Sequence, residues 1–157
     1  MTYSQKLFLF LTRVALGVMY FYAGITKVLD PSWSAAGYIG SAKNFTCFYQ
    51  WLLQPEILPL TNFINEWGLT LLGVSLVLGI GVRLSSVLGA ILMLLYYFPA
   101  VEFPFVGHGF IVDEHIVYAL ILLFFAAIRA GRIWGLEERC SNLPICSRFP
   151  KLRSILG

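Results

Sequence analysis

The sequence predicts an all-α integral membrane protein, a four-helix bundle with both termini cytoplasmic (N-in/C-in) and an interfacial extracytoplasmic segment between helices 1 and 2. Three observations carry this reading. The 157 residues are 59% hydrophobic and only 12% charged, whereas a soluble domain is about a quarter charged and needs those charges to cover its surface. Four apolar stretches approach the roughly twenty residues that a helix needs to cross the hydrocarbon. The cations are also distributed asymmetrically along the chain.

The expected spans are about 7–27, 62–82, 84–101 and 110–129. The first is interrupted only by Arg13. It is too long for a signal-peptide core, and no A-x-A site follows it. Glu66 lies near the start of the second span, and the third is short. The fourth must end before Arg129. Its uncharged part is too brief to cross, so it is expected to begin near Phe110 and to carry Asp113, Glu114 and His115 in its first turns. These spans make one membrane domain, 1–137, followed by a basic cytoplasmic tail, 138–157, that contains Pro144 and Pro150 and suits an anionic lipid surface.

Orientation follows from the cations, because Lys and Arg concentrate on the cytoplasmic side. Nine of the eleven fall with the termini and the turn after the second span: Lys6, Arg13, Arg83, Arg129, Arg132, Arg139, Arg148, Lys151 and Arg153. Lys27 and Lys43 alone fall opposite. That outer side also gathers most of the acids, including Asp30, Glu56 and Glu66, a field that opposes an approaching dianion.

The extracytoplasmic segment, 30–60, is rich in Trp, Tyr and Phe, including Trp33, Tyr38, Tyr49 and Trp51. Such rings favour the membrane–water boundary. Asp30-Pro31-Ser32 starts a short helix expected over 34–43, and Pro55 and Pro59 limit a second one. The segment reads as an interfacial helix or lid over the outer mouth. Gly17, Gly24, Gly68, Gly73, Gly89 and Ala90 suit close helix packing.

Ionisable side chains inside a membrane helix need a reason to be there. Arg13, Gly17, Tyr20, Gly24 and Lys27 are spaced by four, three, four and three, which puts them on one face of the first helix. Arg13 either snorkels to the inner headgroups, about 9 Å away at helical rise, or pairs inside the bundle. Lys27 is expected to pair with Glu66. At the outer mouth lie Glu102, His108, Asp113, Glu114 and His115. Asp113 suits a helix cap. Glu114 and His115 either satisfy each other or exchange protons with outer water, a carboxylate and an imidazole being suited to that. Adjacent residues diverge on a helix, so Glu114, His115 and His108 do not make a metal site, and no metal or haem is expected. Cys47, Cys140 and Cys146 have no C-x-x-C spacing and are assigned no disulfide. Nothing in the pattern suggests nucleic-acid binding.

Several runs resemble the DoxX/DoxD family of four-span membrane proteins. They are Arg13-Val-Ala-Leu-Gly17, Phe21-Tyr-Ala-Gly24-Ile-Thr-Lys27, Asp30-Pro31-Ser-Trp33, Glu66-Trp67-Gly68, Gly79-Ile-Gly-Val-Arg83, Glu114-His115 and Gly131-Arg132-Ile-Trp134-Gly135-Leu136. The long aromatic segment is more similar to the DoxD branch. That resemblance implies the membrane subunit of a thiosulfate:quinone oxidoreductase, with quinone as electron acceptor and a second protein subunit as partner. On this reading Glu114 and His115 relay protons, and Arg13, Lys27, Glu66, Arg83 and Glu102 surround quinone or substrate. The alternative is a non-catalytic scaffold or accessory subunit that anchors a partner enzyme to the bilayer. A transporter is disfavoured, because the chain has no inverted repeat or interrupted helix pair.

Overall fold

A computed structural model describes residues 1–106 and 109–137. The tail 138–157, with Cys140 and Cys146, and His108 lie outside the described residues. Among the described residues six α-helices occur in chain order: α1 Tyr3–Val28, α2 Ala36–Gly40, α3 Thr46–Leu52, α4 Leu58–Leu78, α5 Val82–Ala100 and α6 Glu114–Ala127. The long helices pack α1 on α4, α5 on α6 and α4 on α5.

The boundaries follow local chemistry. α1 begins a turn before the expected 7, because Thr2 and Gln5 form a capping box: Gln5 N donates to Thr2 Oγ1 at 3.3 Å and Thr2 N to Gln5 Oε1 at 2.8 Å. α4 starts near Pro59, which suits a first turn. It stops at Gly79, whose φ of 69° is left-handed, and Gly81 at φ 63° opens α5. The turn therefore lies at 79–81 and not at 83.

The fourth long helix departs most from expectation. It starts at Glu114 with Asp113 as its cap, so Asp113 lies outside the helix. Ahead of it lies a small antiparallel sheet: β1 Val101–Glu102, β2 Phe105–Val106 and β3 Gly109–Phe110, with Val101 opposite Val106 and Phe105 opposite Phe110. At 14 residues, α6 is about 21 Å long. α1 and α5 are long and apolar enough to cross a membrane. α4 has the length but carries Asn62, Asn65 and Glu66 toward its N-terminal end.

The core is aliphatic and aromatic: Leu16, Leu69, Leu72, Leu76, Leu122 and Phe125 are among the side chains buried between the long helices. The stripe on α1 is the face buried against it, for Arg13, Gly17, Tyr20 and Gly24 are all buried. Gly17, Gly24 and Gly73 allow backbones to approach; a Cβ at Gly17 would lie 2.8 Å from Val77 Cγ2. Gly68 differs. A Cβ there would meet only Leu92 Cδ2, at 3.8 Å, so close packing does not require this glycine.

Arg13 is wholly buried and pairs internally. Its Nη1 donates to the Ala130 carbonyl at 3.2 Å and its Nη2 to that of Trp134 at 3.4 Å. The Gly131–Leu136 run thus forms a turn closed around the guanidinium, and Leu136 N and Glu137 N continue it by donating to Leu78 O and Gly79 O. The Glu137 carboxylate faces this cluster, 3.6 Å from Arg132 Nε. Burial pushes its carboxyl up, and Arg132 pulls it back. Arg13→Met should leave two buried carbonyls without their donor and remove one cation from the surroundings of the Glu137 carboxylate, and lower stability by about 3 kcal/mol. Thermal unfolding in lipid nanodiscs measures this, and an unchanged midpoint would remove Arg13 from the architecture.

Candidate functional site

A cavity of about 430 Å³ lies at the other end, around Lys27. Lys27 is about 21 Å along α1 from Arg13 at helical rise, so these two cations serve separate places. Lys27 Nζ donates to Asn65 Oδ1 at 3.0 Å and lies 4.7 Å from the Trp33 ring centroid and 5.6 Å from that of Tyr96, both within cation–π range. Tyr96 donates its hydroxyl to the same Asn65 oxygen at 2.5 Å. The direct partner of Lys27 is therefore Asn65 and not Glu66. Glu66, half-buried on the next position of α4, acts on it only as a nearby charge.

The roof is the segment between α1 and α4. Ala35, Ile39 and Tyr49 form its small core, with Trp33, Leu52 and Phe98 against it. α3 occupies the space before Pro55, so the segment holds two short helices where one was expected. It is stapled to α5 through carbonyls. Pro99 cannot donate, so the Leu95 carbonyl lacks its usual helical partner, and Tyr49 Oη donates to it at 3.0 Å instead. Tyr38 Oη donates to the Tyr96 carbonyl, and Asn44 Nδ2 to that of Val101. Burial pushes the Tyr49 hydroxyl up to about 12, and that of Tyr38 up as well, so both remain donors at neutral pH. Asp30 accepts from Ser32 N and Oγ, which holds its carboxyl below the usual range, and α2 begins only at Ala36.

His115 enters from α6 and lines the cavity, its ring 5.9 Å from that of Tyr96. Its Nδ1 lies 2.7 Å from Asp113 Oδ2, while Asp113 Oδ1 accepts from Ile116 N at 3.1 Å. One carboxylate both caps the helix and orients the imidazole. Asp113 accepts the Nδ1 proton, which makes Nε2 an acceptor in the neutral ring and a donor in the protonated one. Glu114 is exposed and is not the partner of His115. Glu102 is also exposed and pairs with Lys43 at the surface, away from the cavity lining. Arg83 lies half-buried in the first turn of α5, near the Arg13 end.

Asp113→Asn should separate the two duties of this residue. Asparagine caps as well as aspartate does, so stability should hold, while the anionic partner of His115 is lost. Asp113→Ala should additionally cost about 1 kcal/mol. The His115 ring tautomer, read from its nitrogen chemical shifts by NMR, beside thermal unfolding, reads the two effects apart.

Asn65, Tyr96 and Trp33 complete the site. Trp33 stands out in the sequence as an interfacial aromatic and in the Asp30-Pro31-Ser-Trp33 run, though without a tie to Lys27. Asn65 was legible: with Leu69, Leu72 and Leu76 it continues the buried face of α4, and a polar residue on a buried helical face calls for a partner. Tyr96 carries no comparable signal.

The arrangement defines a class: a helical protein of membrane type whose roofed, mainly apolar cavity is lined by the Lys27 ammonium and by the His115 imidazole, which Asp113 holds. The chain belongs to the DoxX family, whose model matches residues 8–102, more than half of its length. Family and apolar helices together point to a membrane protein. The match includes Lys27, Asn65 and Tyr96, and Asp113 and His115 lie beyond it. No curated protein and no solved structure matches the chain.

Proposed function

We propose that this chain is the membrane subunit of a quinone-linked redox complex, a four-helix bundle of the cytoplasmic membrane with both termini inside, and that the roofed cavity receives the quinone head. One observation carries the proposal: an ammonium and an imidazole, the imidazole held from behind by the Asp113 carboxylate, enter the same largely apolar cavity beside the rings of Trp33 and Tyr96. Its volume, about 430 Å³, is within the range of small-molecule sites.

The residues fit an oxidised or reduced quinone ring. Lys27 keeps two N–H donors beyond the one given to Asn65, and these stabilise negative charge on a ring oxygen. Trp33 and Tyr96 offer aromatic faces. His115, oriented by Asp113, gives or accepts a proton at Nε2. His115 thus keeps the relay role expected of it, with Asp113 as its partner where Glu114 was expected. Electrons come from a donor outside this chain, on a second subunit. Thiosulfate, the donor that a DoxD-type subunit implies, balances the reaction: joining two thiosulfates to tetrathionate releases two electrons, and quinone takes these with two protons. The scaffold alternative draws on the Arg13 end, where the buried charges are engaged in holding a turn.

Titrating the full chain in nanodiscs with a short-tailed quinone tests the proposal, because Trp33 lines the cavity and quinones quench tryptophan. Saturable quenching that Trp33→Phe removes is the expected result. No saturable binding would leave the scaffold.

A further inference from the structure

On its α4–α5 side the cavity adjoins other space. A second groove, about 470 Å³, runs between these two helices. Cavity and groove share Ile64, Leu92 and Leu95 as walls. From Leu95 the groove follows α5 to Ser85 and Gly81, and the ten residues from Leu95 to Ser85 are about 15 Å at helical rise. Its rim is apolar and open, since Ile64, Leu71, Leu84, Leu88 and Ile91 are all exposed. The only side-chain hydroxyls in its lining, Ser75 and Ser85, bond to each other at 2.6 Å, and Ser75 Oγ also donates to the Ile80 carbonyl at 2.7 Å. The wall therefore offers a polar ligand little to bind.

We infer that the α4–α5 groove holds the isoprenoid tail of the ligand whose head occupies the cavity. A polar head site that opens into a long apolar groove on the flank of a membrane helix pair selects an amphipathic ligand with a chain. The shared walls let head and tail bind as one molecule entering laterally between α4 and α5. This inference rests on the quinone reading of the cavity and adds where the tail runs. The space at Gly68 belongs to the same groove: a Cβ there meets only Leu92 Cδ2, at 3.8 Å, so a side chain starts into the groove without meeting the backbone of a neighbouring helix.

The test is Gly68→Leu in the full chain in nanodiscs, with two quinones of the same head, one bearing no isoprenoid tail and one bearing a long tail, each titrated by tryptophan quenching. Wild type is expected to bind the long-tailed compound at least tenfold more tightly. Gly68→Leu is expected to abolish that advantage and leave the tail-less affinity unchanged. A tail advantage that survives in Gly68→Leu would overturn the tail site while leaving the head site standing. Failure of wild type to bind the tail-less compound would strike at the head site. Photo-crosslinking with chain-labelled quinone and chain-labelled phospholipid then addresses the groove by itself. Labelling of α4 and α5 by the quinone, suppressed in Gly68→Leu, supports the inference, and equal labelling by phospholipid, undiminished by excess quinone, overturns it.

Discussion

Replacing Gly73 with leucine is expected to remove most folded protein from the membrane. α1 and α4 make the most extensive contact between elements, and that contact is backbone against backbone. A Cβ at Gly73 would run into the backbone of Phe21 and lie 2.7 Å from the Gly17 carbonyl; one at Gly24 would meet the backbone of Thr70 and lie 2.9 Å from the Glu66 carbonyl. A side chain cannot rotate away from main chain, so the helices must separate. Separation exposes Leu16, Tyr20, Leu69 and Leu76 and breaks the Lys27–Asn65 bond. A cost of about 3 kcal/mol or more follows from such overpacking, a large share of the stability of a domain this size. Size-exclusion profiles of fluorescently tagged protein measure the outcome. Gly68→Leu, at the open position on the same helix, should keep a wild-type profile, and two equal losses would mean that α4 tolerates no added bulk anywhere.

Lys27→Met is expected to weaken binding of a short-tailed quinone about 10- to 100-fold, the range of a hydrogen bond from a charged group. The fold should survive, because Asn65 Oδ1 keeps the hydroxyl of Tyr96 as donor and methionine matches the length of the lysine stem. Binding and stability therefore separate at this position, which distinguishes the ligand site from a helix-pairing role. Lys27→Arg should recover part of the affinity, as the charge remains while its geometry differs. If Lys27→Met binds as wild type but melts early, Lys27 is a structural pin and the scaffold reading gains.

Composition and cation placement made the helical, membrane-type character legible, because a solvent without water leaves a bias in every segment. Spacing on α1 identified its buried face, since residues three and four apart must share a side of a helix. Helix ends were less accessible. Gly79 and Gly81 signal a turn, yet Ile80 and Val82 are apolar enough to extend the second span to 82 and shift the expected break to Arg83. Length alone puts the start of α6 near Phe110, but β3 takes Phe110 and Asp113 caps the helix, so only Glu114 and His115 of the expected polar start are helical.

The sequence by itself determined that this chain is helical and suited to lipid, which residues line the inner face of α1, and that Arg13, Lys27 and His115 each require a partner. Only the tertiary structure decided who those partners are. Arg13 meets carbonyls more than a hundred positions away, Lys27 meets Asn65 where a carboxylate one residue along looked equivalent, and His115 turns to Asp113 where Glu114 was adjacent. The physical reason is common to all three. A buried polar group must be paired, a demand that residue type announces, but neighbours on a helix point about 100° apart, so packing selects the one that can reach.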